Sequence, residues 1–263
     1  MLVDIGGRRL SVEQAGHGGP VVVLEAGAGL DKSTWDLVWP EVAAFTSVVR
    51  YDRAGIGESD PAPGPRGALE VVADLRALLT AVGIPGPYMV VGHSFGGLVA
   101  RLYACHHPRE VAGVVLVDSS HPEQRCRSLA CLPAPVPGEE PALTALRDRY
   151  ASPADDTLWE GVNFTLSLAQ AGQVGTLGPI PLTVIARSLC GRMRPGLPDS
   201  LALRLEEEWR NLQWDLARLS PCGSLVAAEH GGHLLQQEEP CVVIAAIRQM
   251  VEAVRAANRG DVR

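Results

Sequence analysis

The sequence is short of several things, and each shortage removes a class of function. Lysine occurs once, at Lys32, and arginine carries the remaining basic charge, which reflects coding composition rather than activity. With 23 Lys+Arg against 30 Asp+Glu, the formal net charge is −7. That balance gives no reason to expect nucleic acid or an anionic membrane as a partner. No apolar run reaches the roughly 20 residues that a membrane-spanning helix needs. The start, Met1-Leu2-Val3-Asp4, lacks a charged segment followed by an apolar one, so no secretory leader is expected. The cysteines (Cys105, Cys126, Cys131, Cys190, Cys222 and Cys241) form no C-x-x-C pair, and no histidine spacing suggests zinc. Free thiols in a reducing compartment, and hence a cytoplasmic protein, are expected. Only Cys126 and Cys131 lie close enough in sequence to leave a disulfide open.

What remains is an ordinary globular composition: 263 residues, 46% hydrophobic and 20% charged. A chain of that length can bury one large core, so one domain with an insertion is the expected organisation.

The most informative stretch runs from Tyr88 to Ala100. Tyr88-Met89-Val90-Val91 is a short β-branched apolar run, as a buried strand should be, and Leu98 to Ala104 has the pattern of a helix that Pro108 stops. Between them lies Gly92-His93-Ser94-Phe95-Gly96. This is G-x-S-x-G in the strand-turn-helix setting that gives the motif its meaning. The serine needs a tight, strained turn to stand clear of the sheet, and glycines two positions before and after it let strand and helix approach. The helix that follows aims its N-terminal N–H groups at the same spot, where negative charge would develop.

Taken in order, Leu2–Ile5 and Arg8–Gln14 predict a hairpin around Gly6-Gly7. Val21–Glu25 predicts a central strand, ending in the small residues Ala26-Gly27-Ala28-Gly29. Thr34–Phe45 predicts a helix, Ser47–Tyr51 a strand, and Leu69–Val82 a helix closed by Gly83. Val111–Val117 is a further strand, ending in Asp118-Ser119-Ser120. Strands alternating with helices imply a mostly parallel sheet covered on both faces, an α/β fold. Composition changes at His121. Residues 121–178 contain several prolines, no strong strand, and helical patches at Ala142–Tyr150 and Leu158–Ala171, as in an inserted helical lid. The core is therefore expected to be residues 1–120 and 179–263. It resumes with a strand at Ile180–Ala186, a helix at Ser200–Leu219, a strand at Gly223–Ala228, the loop Glu229-His230-Gly231-Gly232-His233 and a closing helix at Val242–Ala257.

These stretches together resemble the α/β-hydrolase superfamily, in the branch of small serine esterases and proline iminopeptidase-like enzymes. The resemblance rests on Val21–Gly29 with Trp35, on Tyr51-Asp52-Arg53-Ala54-Gly55-Ile56-Gly57-Glu58-Ser59-Asp60, on Gly92–Gly97, and on Gly232-His233 followed by Glu239-Pro240. It implies a Ser, acid, His triad in that chain order and no cofactor or metal. Ser94 would be the nucleophile and His233 the base; His230 is the rival, and His93 is expected to pack beside the elbow. The resemblance also implies two oxyanion donors, the backbone N–H of Phe95 and that of Ala28. Relatives usually carry His-Gly where this chain has Ala26-Gly27, which leaves the support of that loop open. Asp52 and Arg53 are expected to stabilise a neighbouring turn.

The acid departs from the commonest pattern. Arg187-Ser188-Leu189-Cys190-Gly191-Arg192, after the strand at 180–186, holds no carboxylate. Asp118 is the preferred candidate, against Asp199 and Glu206–Glu208; its bland alternative is an Asx-turn to Ser119 and Ser120. In the lid, Trp159, Phe164, Leu166 and Leu168 could line an apolar pocket or form the lid's own small core. The expected activity is hydrolysis of small carboxylic esters or related acyl compounds. A ligand-binding or regulatory protein on the same scaffold is the alternative.

Overall fold

The computed structural model describes residues 1–151, 157, 160–188 and 196–260. Among these, eight strands form one sheet: β1 (Leu2–Asp4), β2 (Arg9–Ala15), β3 (Val21–Glu25), β4 (Val48–Tyr51), β5 (Tyr88–His93), β6 (Val111–Val117), β7 (Leu182–Ala186) and β8 (Gly223–Ala227). Their order is β1-β2-β4-β3-β5-β6-β7-β8. The first two pairings are antiparallel and the rest are parallel, so the N-terminal hairpin is grafted onto the edge of a parallel sheet.

Alternation along the central strands sends side chains to two cores. Val23, Val90 and Val114 join one cluster, with residues of α2 (Ala68–Ala81), α3 (Phe95–His106) and α6 (Phe164–Gly172). Val22, Leu24, Met89, Val91 and Val115 join the other, with Trp35, Val38 and residues of α9 (Pro240–Asn258). Burial on both faces is why these strands read as continuous apolar runs. Each fully buried Val or Leu side chain contributes roughly 1.5–3 kcal/mol.

Crossovers from β3 lead away to β4, whereas those from β5 lead the other way to β6. The sheet therefore reverses its winding between β3 and β5. A crevice opens at such a point, outside the C-terminal ends of the strands. The turn after β3 and the Ser94 elbow after β5 flank it.

The single helix expected over Thr34–Phe45 is two pieces, a 3-10 turn at Lys32–Trp35 and α1 (Trp39–Ala43). Pro40 has no N–H to donate to the preceding turn and is tolerated only in the first turn of a helix, so it cannot lie inside one continuous helix and stands instead at the start of α1. Between β6 and β7 lie α4 (Gln124–Ala130), α5 (Pro141–Ala151) and α6. Of these, α6 packs against α2 and α3, and its Leu168 is buried in the main core. Leu166 is exposed, and Trp159 lies outside the described residues. The chain continues with α7 (Asp199–Ala217), α8 (Leu235–Glu238) and α9. Cys126 and Cys131 are free thiols, as are Cys105, Cys222 and Cys241. No helix among the described residues is long and apolar enough to cross a membrane.

Candidate active site

Ser94 caps α3 with φ +52° and ψ −117°, a conformation that L-residues rarely adopt. The surroundings hold it there. Its N–H donates to Val117 O at 3.1 Å, and its carbonyl accepts from Gly97 N at 3.0 Å and Ser120 N at 2.9 Å. A side chain at Gly92 would strike the carbonyl of Gly96, and a Cβ at Gly96 would lie 2.5 Å from Glu25 O and 2.6 Å from Ala26 O. Both glycines are thus demanded by close approach of strand, helix and the turn after β3.

His233 lies in the loop after β8. Its Nε2 is 3.0 Å from Ser94 Oγ and its Nδ1 is 2.6 Å from Asp118 Oδ2. The loop is tied down by the two glutamates that precede Pro240. Glu239 accepts from the N–H groups of Glu229, His230 and Gly231, and Glu238 from those of Gly232 and Leu234. His230 points to solvent.

His93 is buried under this loop. Its Nε2 lies 2.8 Å from His233 O, a carbonyl that can only accept, so Nε2 carries the proton. Nδ1 is left to accept from Gln236 Nε2, at 3.3 Å. Burial, reinforced by neighbouring His233, pushes His93 down to about 3, so the ring is neutral and serves as a strut. The expectation that it packs beside the elbow is met, with a hydrogen-bonding role added.

Asp118, at the end of β6, is fully buried and has φ +40°. Its carboxylate does not turn back to Ser119 and Ser120. Oδ1 accepts from Trp209 Nε1 at 2.6 Å and Arg187 N at 3.2 Å, while Oδ2 accepts from Arg187 Nη1 at 2.9 Å beside His233. Burial alone would raise its pKa, but Arg187, His233 and Trp209 outweigh that and hold it well below the usual carboxylate range. Arg187 also donates through Nε to Glu206 Oε2 at 2.7 Å, and its guanidinium lies 4.5 Å from the Trp209 ring centre. Asp199 is exposed at the start of α7, Glu207 is exposed, and Glu208 pairs with Arg127. Sequence reasoning overlooked Arg187, Trp209 and the linking role of Glu206. The available signal was an arginine standing directly at the end of β7.

The turn Ala26-Gly27-Ala28-Gly29 has no histidine of its own, and Arg53 braces it. Arg53 Nη1 donates to Ala26 O at 2.6 Å and Nη2 to Gly27 O at 2.5 Å. The same guanidinium pairs with Glu25 and Glu160 and lies 5.3 Å from the Phe95 ring centre. Asp52 faces elsewhere, pairing with Lys32 and accepting from the Glu58 N–H. Phe164, half-buried, meets Phe95 with ring centres 6.3 Å apart.

Comparison with known proteins gives a consistent picture. The model of the "Alpha/beta hydrolase family" matches residues 21–247. An uncharacterized protein of Bacillus subtilis, YqjL, is 28% identical, covering 88% of this chain and 83% of its own. A thermophilic esterase from Thermogutta terrifontis superposes with a TM-score of 0.65 at 25% identity, covering 94% of each chain. An enol-lactonase from Burkholderia xenovorans superposes with a TM-score of 0.63 at 18% identity, covering 96% of this chain and 100% of its own.

Proposed function

The chain belongs to the alpha/beta hydrolase family, and we propose that it is a serine hydrolase of small carboxylic esters or related acyl compounds, working through an acyl-enzyme. The observation that carries this reading is the unbroken line from Ser94 Oγ through both ring nitrogens of His233 to the Asp118 carboxylate. The likeness to an esterase and an enol-lactonase supports the bond class.

In this reading, neutral His233 accepts the Ser94 hydroxyl proton at Nε2 as Oγ attacks the carbonyl carbon. Asp118 accepts the Nδ1–H, which selects the tautomer with a free Nε2 lone pair and stabilises the imidazolium that forms. The carbonyl oxygen becomes an alkoxide, met by the N–H groups of Ala28 and Phe95. Collapse of the tetrahedral intermediate expels the alcohol oxygen, which takes the proton from His233 Nε2. Water then repeats the sequence on the acyl-enzyme and returns Ser94. Residues 121–178 would act as the lid that shapes the substrate site, with Phe164 against Phe95 at its edge. The free thiols fit a reducing, cytoplasmic setting.

The test is labelling by a fluorophosphonate probe, followed by turnover of p-nitrophenyl esters of increasing acyl length. The expected result is a label on Ser94, turnover of short to medium esters, and loss of both in Ser94→Ala. A folded protein that binds the esters without turnover would instead be the ligand-binding alternative.

A further inference from the structure

We propose that Glu160, from the segment inserted between β6 and β7, is a positioning residue that sets the Ala28 N–H as an oxyanion donor. The inference rests on the ester-hydrolase reading above and adds a residue that the reading does not use.

Glu160 is buried, and each of its carboxylate oxygens has a task. Oε2 accepts from Gly29 N at 2.8 Å, across 131 residues of chain. Oε1 accepts from Arg53 Nε at 3.0 Å and from Arg53 Nη2 at 2.8 Å. Arg53 Nη2 also donates to Gly27 O. The two peptide planes on either side of Ala28 are therefore both held. A trans peptide points its C=O and N–H in opposite directions. Anchoring Gly27 O on Arg53 thus turns the Ala28 N–H away from Arg53. Anchoring Gly29 N on Glu160 fixes the following plane. With both planes set, Ala28 has little freedom left, and its N–H direction follows from Glu160 and Arg53 together.

The composition of the cluster points the same way. Arg53 is buried between two carboxylates, Glu25 and Glu160, and Tyr51 Oη donates to Glu25 at 2.5 Å. Taking three charges out of water is expensive, and apolar residues of like volume generally stabilise as well or better. A buried ionic cluster is therefore a poor device for stability and a good one for holding a backbone direction. Its location next to Phe95, the other proposed donor residue, fits that use.

The chemistry of the side chain supplies the test. Glu160 faces donors on both oxygens, so Glu160→Gln, although isosteric, must put an N–H₂ against either Gly29 N–H or Arg53. The readout is the ratio of kcat on a p-nitrophenyl ester to kcat on its thiono counterpart, in which C=S replaces C=O. The sulfur gains little from N–H donors, so the ratio reports oxyanion stabilisation and not the placement of Ser94 or His233. Loss of one oxyanion donor lowers kcat by about 10²- to 10³-fold. Glu160→Gln should lose about 10-fold or more on the oxo ester, with the thiono ester nearly unchanged and KM little altered. Glu160→Ala should lose more.

Equal loss on both esters, an unchanged ratio, or a Glu160→Gln protein that does not fold would each overturn the proposal. In those cases Glu160 is a structural residue. Failure of the wild-type protein to turn over any ester would instead sink the hydrolase reading, a result separable from the ratio.

Discussion

The Asp118 carboxylate stands 2.6 Å from His233 Nδ1, joining residues 115 apart in sequence across the ends of β6 and β8. The strand between them, β7, ends in Arg187, which donates to the same oxygen at 2.9 Å. At the end of β7 this chain has a guanidinium that binds Asp118, the proposed acid, supplied by the neighbouring strand. Glu206 holds the far side of that guanidinium, so the charge on Arg187 is shared between two carboxylates.

Replacing Asp118 by Asn would put an amide opposite groups that all donate, and the imidazole would lose the acceptor that selects its tautomer. In folded protein, Asp118→Asn should lower kcat by about 10³- to 10⁴-fold. Asp199→Asn, on the exposed first turn of α7, should leave kcat unchanged. Steady-state ester hydrolysis by the two variants decides the assignment, and the reverse ranking would move the acid to Asp199.

Acid sensitivity should come first from two histidines, His93, which is buried, and His121, which is partly buried. Burial holds His93 down to about 3 and, with Arg101 and Arg127 nearby, His121 down to about 4. Both are neutral in the folded and unfolded chain above pH ~6.5. Below that, the unfolded chain takes up protons that the folded one refuses, so stability falls as pH falls. Glu25, pushed up chiefly by burial, opposes this in part, because its folded form keeps a proton more readily than its unfolded form. Comparison with a variant isolates the histidine. The stability advantage of wild type over His93→Gln should shrink by about 1.4 kcal/mol for each pH unit lowered between about 6 and 4. Urea unfolding at a series of pH values measures it, and parallel curves would show that His93 titrates in the folded protein as it does in the unfolded one.

Arg101 is a cost built into α3. It is 2% exposed, hydrogen bonds through Nη2 to Ala171 O at 3.3 Å, and among the described residues has no partner for Nε or Nη1. Burial pushes its guanidinium down to about 10. A buried donor without a partner costs about 1–3 kcal/mol. Arg101→Met, of similar length and without the charge, should therefore raise the urea midpoint at an unchanged slope. A lowered midpoint would mean that the guanidinium contributes packing or polar contacts worth more than its desolvation.

Much of this protein is legible in one dimension because the signals are local. The elbow at Ser94 is a five-residue pattern whose glycines answer a contact between adjacent elements. The sheet follows from apolar runs bounded by turns, and His233 from a glycine-rich loop before the last helix. The break ahead of α1 was readable in principle from Pro40, but the apolar spacing of Trp35, Val38 and Val42 masked it: all three join one core cluster despite the interruption. The partners of Asp118 and of the turn at Ala28 are another matter. Asp118 with Arg187, Trp209 and Glu206, and Arg53 with Glu25 and Glu160, are pairs and clusters of charge drawn from distant segments. A lone Asp, Arg or Glu in sequence is by default a solvated surface residue. Only when the parallel strands align their C-terminal ends, and α7 and the inserted segment close over them, do these side chains leave water and need one another. Local pattern therefore determined the Ser94 turn and the sheet that presents it. Tertiary structure decided which carboxylate faces the histidine and what braces the turn at Ala28, because burial turns an ordinary charged residue into one that must have a particular partner.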